Sequence, residues 1–304
     1  MENEGGAGPK RSREGPVAWR DAMKIAILIT CHNRRQKTLR CLQALFESRL
    51  PGDAGLHVLL VDDGCNDGTG NAVRDKYPQV EVLQGDGNLY WNGGMRKAFA
   101  EALERGFDHY LWLNDDTYLY PEALTTLLTV AAEREQSGGA AVVVGSTQAT
   151  SDGPVNHGGI AKWRRLDSKL VVPQEVPVAC ETMYGNCVLI PDKIARRVGN
   201  LDPAFTHSIG DVDYGLRVGQ AGFAILVMPG FAGTCEANPV SGTLNDASLS
   251  LKLRFEKLLG PKGLPFKPWL IFLWRHFGFV GLAYWVWTYV KLPLTWLRAR
   301  LRLA

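Results

Sequence analysis

Long apolar runs are missing from this chain, as are C-x-x-C pairs, glycine-rich phosphate loops and any strong net charge. The longest uninterrupted apolar run, Phe277 to Val290, has 14 residues, whereas a helix that spans a bilayer needs about 20. Six cysteines (Cys31, Cys41, Cys65, Cys180, Cys187, Cys235) without paired spacing argue against a disulfide framework, which a chain of 304 residues does not need for stability. A reducing, cytoplasmic compartment is expected. The 34 basic and 31 acidic side chains leave +3, too weak a field to draw nucleic acid, so no nucleic-acid partner is expected. The first 22 residues lack the apolar core of a signal peptide and, being Gly-rich and charged, read as a flexible lead-in. After the first strand-like run, "LITCHNRR" fits neither the dinucleotide pattern G-x-G-x-x-G nor a P-loop.

What is present is alternation. From Lys24, short β-rich runs alternate with amphipathic stretches, which predicts strands over 24–30, 56–62, 80–85, 109–114 and 140–145. Helices are expected over roughly 35–48, 68–76, 93–105 and 121–135. Runs such as "AILI" and "VLLV" suit strands covered on both faces, so an α/β fold is expected: a Rossmann-like, mostly parallel sheet with helices on both sides. Past about 150 the rhythm loosens into longer loops and a second sheet, and no internal repeat is visible.

The segment 251–304 differs in kind. It holds five of the nine tryptophans among apolar residues, with Lys and Arg interrupting and closing it. Aromatic rings with flanking cations suit a membrane surface, which the short apolar run could enter without crossing. Packing on the domain, and pairing in a homodimer, remain alternative uses of the same residues.

Carboxylates recur after strands in three places: Asp62 and Asp63 in "LLVDDGCNDGT", Asp115 and Asp116 in "LWLNDDTYLY", and Asp211 and Asp213 in "SIGDVDYGLR". Asp is common in turns and at helix starts, so any one of these could be merely structural. In an open α/β sheet, however, strand ends face one crevice, where three such groups can meet one ligand. Adjacent carboxylates repel unless a positive charge lies beside them, and hard oxygen ligands favour Mg²⁺ or Mn²⁺.

Six segments in register, "AILITCHNRR", "LLVDDGCNDGT", "GNLYWNGGMRKAF", "LWLNDDTYLYPEAL", "YGNCVLIPDKI" and "IGDVDYGLRVGQAGF", resemble the family 2 glycosyltransferases of GT-A fold, over about residues 24–235. The similarity is greatest to the bacterial rhamnosyltransferase-like group of surface-polysaccharide assembly. The resemblance implies an inverting transfer from a nucleoside diphosphate sugar, UDP- or dTDP-linked, to a hydroxyl of a saccharide or lipid-linked saccharide, by an enzyme peripheral on the inner face of the membrane. It assigns 23–150 to the nucleotide sugar, 151–250 to the acceptor and catalytic base within the same domain, and 251–304 to a membrane-associating or dimerising tail. Thr30, Asn33, Arg34 and Asp63 match nucleoside-binding positions, Asp63 by accepting from the base N–H. In the metal motif Asp116 matches the direct ligand and Asp115 the group on ribose or sugar. Asp211 matches the catalytic base, although Gly precedes it where Glu is commoner. A later metal-assisting His has no counterpart, because "GFAGTCEANP" offers Cys235 and Glu236.

The residues themselves support that chemistry. Displacing a diphosphate builds charge that a cation on Asp116 would stabilise, and the incoming hydroxyl needs a carboxylate from another loop. Trp91 offers a flat face to a sugar or base, while Asn92, Gly93 and Arg96 are expected at a helix start that could meet phosphate; a core Trp in a tight turn is the plain alternative. His157 and His207 are solitary and read as structural. Two other functions compete: a nucleotidyltransferase, which should show a Gly-rich basic loop after the first strand, and a catalytically silent carbohydrate-binding subunit, which needs no costly carboxylates.

Overall fold

The structure is a computed structural model and describes residues 23–163, 169–236, 241–244, 246 and 248–301. The lead-in 1–22 and the final 302–304 lie outside the described residues. Lys24–Cys31 (β1), Gly55–Asp62 (β2), Val80–Gln84 (β3) and His109–Leu113 (β4) run parallel in the order β3-β2-β1-β4. Helices Arg35–Phe46 (α1), Thr69–Lys76 (α2) and Tyr90–Arg105 (α3) make the crossovers. Alternate residues of β1 feed opposite cores. Ile25, Ile27 and Ile29 meet Leu42 and Leu45 of α1, whereas Ala26 and Leu28 meet Ala98 and Phe99 of α3. Each fully buried Ile or Leu there contributes roughly 1.5–3 kcal/mol, which fixes the strand register.

Beyond β4 come Thr117–Leu119 (β5), Ala123–Gln136 (α4) and Ala141–Val144 (β6). Short strands follow: Thr147–Gln148 (β7), Val155–His157 (β8), Gly159–Ile160 (β9), Val178–Cys180 (β10) and Thr182–Met183 (β11). Cys187–Pro191 (β12) then inserts between β4 and β6, antiparallel to both. Helices Asp192–Val198 (α5) and Gly210–Gln220 (α6) lead to Ala224–Val227 (β13), which joins β6, and to Gly233–Cys235 (β14). The eight-stranded sheet is therefore ordered β10-β13-β6-β12-β4-β1-β2-β3. The fifth expected strand, now β6, does not continue the parallel run beside β4, because periodicity carries no strand order. The second sheet, β5-β14-β7-β8, draws its strands from before and after residue 150. Its β14–β5 pairing sets Cys235 opposite Thr117, one residue from the expected metal motif.

Leu251–Leu259 (α7), Phe266–Phe277 (α8) and Phe279–Leu301 (α9) complete the chain's described part. The apolar run 277–290 is not one element. Gly278, at a φ of 55° that an L side chain resists, breaks it into two helices. Helix α8 packs on the domain, burying Trp269, Phe272 and Leu273 with Ile160, Phe205 and Val212. Helix α9 leans on α8 through Trp269 Nε1–H to Thr288 Oγ1 (2.9 Å), and its Tyr289 O–H donates to the Leu264 carbonyl just before α8 (2.7 Å). Its other side leaves Phe279, Val280, Val286, Trp287 and Val290 exposed. No helix among the described residues is long and apolar enough to cross a membrane.

Candidate active site

At the carboxyl end of β4 the chain turns through Asn114, whose carbonyl accepts the Thr117 N–H, and this turn buries Asp115 and Asp116 side by side. The charge between them is Arg34. Its Nη1 lies 2.9 Å from Asp115 Oδ1 and 2.8 Å from Asp116 Oδ2, so one guanidinium nitrogen bridges both carboxylates. Burial raises the Asp115 carboxyl to about 6, with Arg34 pulling it down and Asp116 pushing it up. Because one nitrogen reaches an oxygen of each, the two carboxylates converge on a single point and offer hard oxygens. They fit a divalent cation such as Mg²⁺ or Mn²⁺. Arg34, expected among the nucleoside-binding groups, belongs to this station.

Cys235 completes it. Its buried thiol points at Asp116 Oδ1 across 3.7 Å and accepts from Asn186 Nδ2 at 3.6 Å. Burial first, then the Asp116 charge, pushes this thiol up to about 12, so it stays protonated and supports Asp116 as a weak donor. Glu236, the other candidate third ligand, is instead paired with Lys37 at 2.7 Å. His157, on β8, is close enough for Asp116 to oppose the lowering of its pKa by burial, and its ring meets Tyr184 edge-on.

The residues expected on the nucleotide side form a scaffold around the ends of β1 and β2. Asp63, buried, accepts N–H groups from Gly87 (2.8 Å), Leu89 (3.3 Å) and Tyr90 (3.0 Å). That starts α3 at Tyr90, three residues before the expected 93, and engages the N–H groups a phosphate would have used. The glycine pair therefore lies inside the helix. A methyl on Gly94 would collide with Thr30 Oγ1, so the helix closes directly over Thr30. Asn33 accepts the Asn66 N–H at 2.8 Å and ties the two loops together. Asn92, expected to face a ligand, is fully buried and donates to the Asp202 (3.1 Å) and Phe205 (2.6 Å) carbonyls. It is a tie to the loop before α6. A methyl on Gly93 would press on Leu89. Arg96, its Nε buried without a partner, lines a cavity of about 470 Å³ with Leu89, Lys97 and Leu201.

Trp91 links the stations. Its Nε1–H donates to Asn114 Oδ1 at 2.6 Å, and its ring lies against Gly185, whose N–H donates to Asp211 Oδ2 at 2.9 Å. Asp211 sits in the first turn of α6, with Oδ1 accepting the Val212 N–H at 2.8 Å. Burial raises its carboxyl to about 6 while these N–H groups pull it down, leaving a carboxylate that is ionised yet basic at neutral pH. Only glycine fits at Gly210, because a side chain there would strike Asn92 Oδ1.

The sequence profile of glycosyl transferase family 2 matches residues 26–188. The chain belongs to this family. Over 201 residues it is 26% identical to the N-acetylglucosaminyl-diphospho-decaprenol L-rhamnosyltransferase of Mycobacterium tuberculosis, in strains H37Rv and CDC 1551 alike. That match covers 57% of this chain and 64% of the relative, a little under two thirds of its length. In fold it is similar to S. aureus TarS 1–349 in complex with UDP (TM-score 0.54, 16% identity, 84% of this chain and 72% of that one). It is also similar to the mannosyltransferase PcManGT from Pyrobaculum calidifontis in complex with GDP-Man and Mn²⁺ (TM-score 0.51, 16% identity, 96% and 85%). These likenesses establish the GT-A fold.

Within this glycosyltransferase, Asp213 ties α6 to α8. Wholly buried, it accepts from Arg217 Nε (2.9 Å), Arg275 Nη1 (2.6 Å) and His276 Nε2 (2.9 Å). These partners hold its carboxyl below the usual range against the opposing effect of burial. Two residues from Asp211, helix α8 is thereby fastened to the helix that carries it. Sequence reasoning singled out neither Arg275 nor His276 and left Cys235 as a departure; the pairing of β14 with β5 was the missing information.

Proposed function

We propose that this glycosyltransferase moves a sugar with inversion from a nucleoside diphosphate sugar to an acceptor hydroxyl, in the assembly of a bacterial surface polysaccharide. The observation that carries the reading is the chain of contacts from Asp115 and Asp116 through Asn114, Trp91 and Gly185 to Asp211. It supports a reading in which a cation-binding pair and a basic carboxylate act on one substrate. Asp116, with Asp115 beside it, would hold Mn²⁺ or Mg²⁺. When bound, the ion stabilises negative charge on the departing diphosphate. Arg34, whose Nη1 holds the point between the two carboxylates, would yield that place to the ion, and Trp91 supplies a flat wall. Asp211 accepts the proton of the acceptor hydroxyl as its oxygen bonds to the anomeric carbon and the bond from that carbon to diphosphate breaks.

The named relative's acceptor is a lipid-linked sugar, and the exposed aromatic and aliphatic face of α9 supports the same class here, with the enzyme lying on an anionic membrane surface. The test is to present dTDP-, UDP- and GDP-linked sugars, with Mn²⁺ or Mg²⁺, to the full chain and a polyprenyl-diphospho-N-acetylglucosamine in vesicles. Transfer from one donor with inverted anomeric configuration is expected. Neither transfer nor slow hydrolysis with any donor would overturn the reading. Release of pyrophosphate from a nucleoside triphosphate and a sugar phosphate would replace it with nucleotidyl transfer.

A further inference from the structure

A second group of ligand atoms lies where β1 meets β2, and its chemistry is unlike that of the Asp115–Asp116 pair. Cys31 is the last residue of β1 and sits in register with Asp62, the last of β2. The chain then doubles back: Gly64, at a φ of 64°, donates its N–H to the Asp62 carbonyl, and the Cys65 N–H reaches Asp62 Oδ1 at 2.8 Å. This turn brings Cys65 Sγ to 3.9 Å from Cys31 Sγ. One ligand atom from each of Cys31, Asp62 and Cys65 lies within 4.8 Å of the others.

We propose that Cys31, Cys65 and Asp62 bind a thiophilic divalent cation of the zinc type. Two sulfurs bound at about 2.3 Å to a tetrahedral zinc stand about 3.8 Å apart, so the thiols already span one edge of the tetrahedron. A carboxylate oxygen on the same side supplies the third ligand and leaves one position open. Cys31 and Asp62 are buried while Cys65 is half-buried, which gives the ion a route in past Cys65. The Asn33 N–H donates to Cys65 Sγ at 3.2 Å, which holds that sulfur in place beside Cys31. Binding exchanges two thiol protons for two metal–sulfur bonds and releases the protons to solvent. The softness of thiolates separates this site from the all-oxygen pair, which prefers Mg²⁺ or Mn²⁺. The ion would clamp together the loop that carries Arg34 and the loop that carries Asp63, so it acts on the donor side of the cleft by fixing its frame.

Cobalt reports the ligands directly. The reduced, chelator-treated full chain is titrated anaerobically with Co²⁺ and then with Zn²⁺. One equivalent of Co²⁺ is expected to give a thiolate-to-cobalt charge-transfer band that Zn²⁺ abolishes and excess Mg²⁺ leaves unchanged. Cys65→Ser, at a half-buried position, should lose the band with the fold intact by circular dichroism, and Asp62→Asn should weaken Zn²⁺ binding by about tenfold or more. The same band should persist in Asp116→Ala. Absence of the band, its survival in Cys65→Ser, or its loss in Asp116→Ala would each overturn the proposal.

Discussion

Replacing Asp211 by Asn separates the base from every other role that carboxylate has. At neutral pH a carboxyl near 6 is about nine-tenths ionised, and in the wild-type enzyme kcat should fall about tenfold per unit below that value, because only the ionised form accepts a proton. Asn cannot accept it, so transfer should drop by at least about 10²-fold, equivalent to about 2.7 kcal/mol of barrier, and the acidic limb of the pH profile should vanish. Stability should barely change, as two opposing costs show. Asp211 has its folded pKa raised from 3.8 to about 6, so its contribution is fully present below about 4 and lost as pH rises through about 6, a penalty of about 3 kcal/mol at pH 7. Asn escapes that penalty. It loses one of the two N–H contacts from Gly185 and Val212, because its amide nitrogen meets a donor, at about 1–3 kcal/mol. Kinetics with saturating donor, paired with urea melts at pH 5 and 7, measure both. A variant that keeps turnover while donor KM rises, or that keeps the acidic limb, would assign Asp211 to donor binding and refute its role as base.

Asp116→Ala should abolish transfer and remove the Mn²⁺-dependent thermal shift produced by a nucleoside diphosphate; an unchanged shift would move the cation elsewhere. Asp213→Asn strips a buried carboxylate from Arg217, Arg275 and His276, yet Arg217 keeps the Val198 and Asn200 carbonyls and Arg275 keeps Asp202, so the loss should sit near the lower end of the range for breaking a buried pair, about 3 kcal/mol. The Asp213 pKa is depressed on folding, so this stabilisation is present above its unfolded value and lost as pH falls through the folded one; wild type and variant should converge in acid, and a constant gap down to pH 3 would contradict the account. Cutting off the segment after 262 would remove α8 and uncover Ile160, Phe205 and Val212 beneath it, so the membrane reading is better tested on α9: Phe279→Ser with Trp287→Ser and Val290→Ser should release the protein from anionic vesicles and leave donor hydrolysis intact. Binding to vesicles that survives all three changes would assign that face to another partner.

The sequence announces strands clearly where both faces are buried, as in β1 and β2, since continuous Ile, Leu and Val leave no other place for them. It is mute about β12, whose "CVLIP" reads equally well as any short core strand, and nothing local says that it enters antiparallel between β4 and β6. The same limit governs the site. Asp115, Asp116 and Asp211 stand out because adjacent or cleft-facing carboxylates are expensive, and cost is visible in one dimension. Arg34 enters only as a match to a nucleoside-binding position and Cys235 only as a departure, because an Arg in a basic loop and a Cys in a strand are ordinary until the fold lays them on Asp116. Asn92 fails in the opposite sense: a polar residue beside two glycines looks like a ligand, but its amide was needed to satisfy carbonyls of a loop 110 residues away. The tail shows what that distance conceals. Arg275 and His276 read as breaks in an apolar run, and they are the residues that hold α8 to Asp213, two positions from Asp211. A segment whose composition suits a membrane surface is thus fixed through its charges to the helix that carries Asp211.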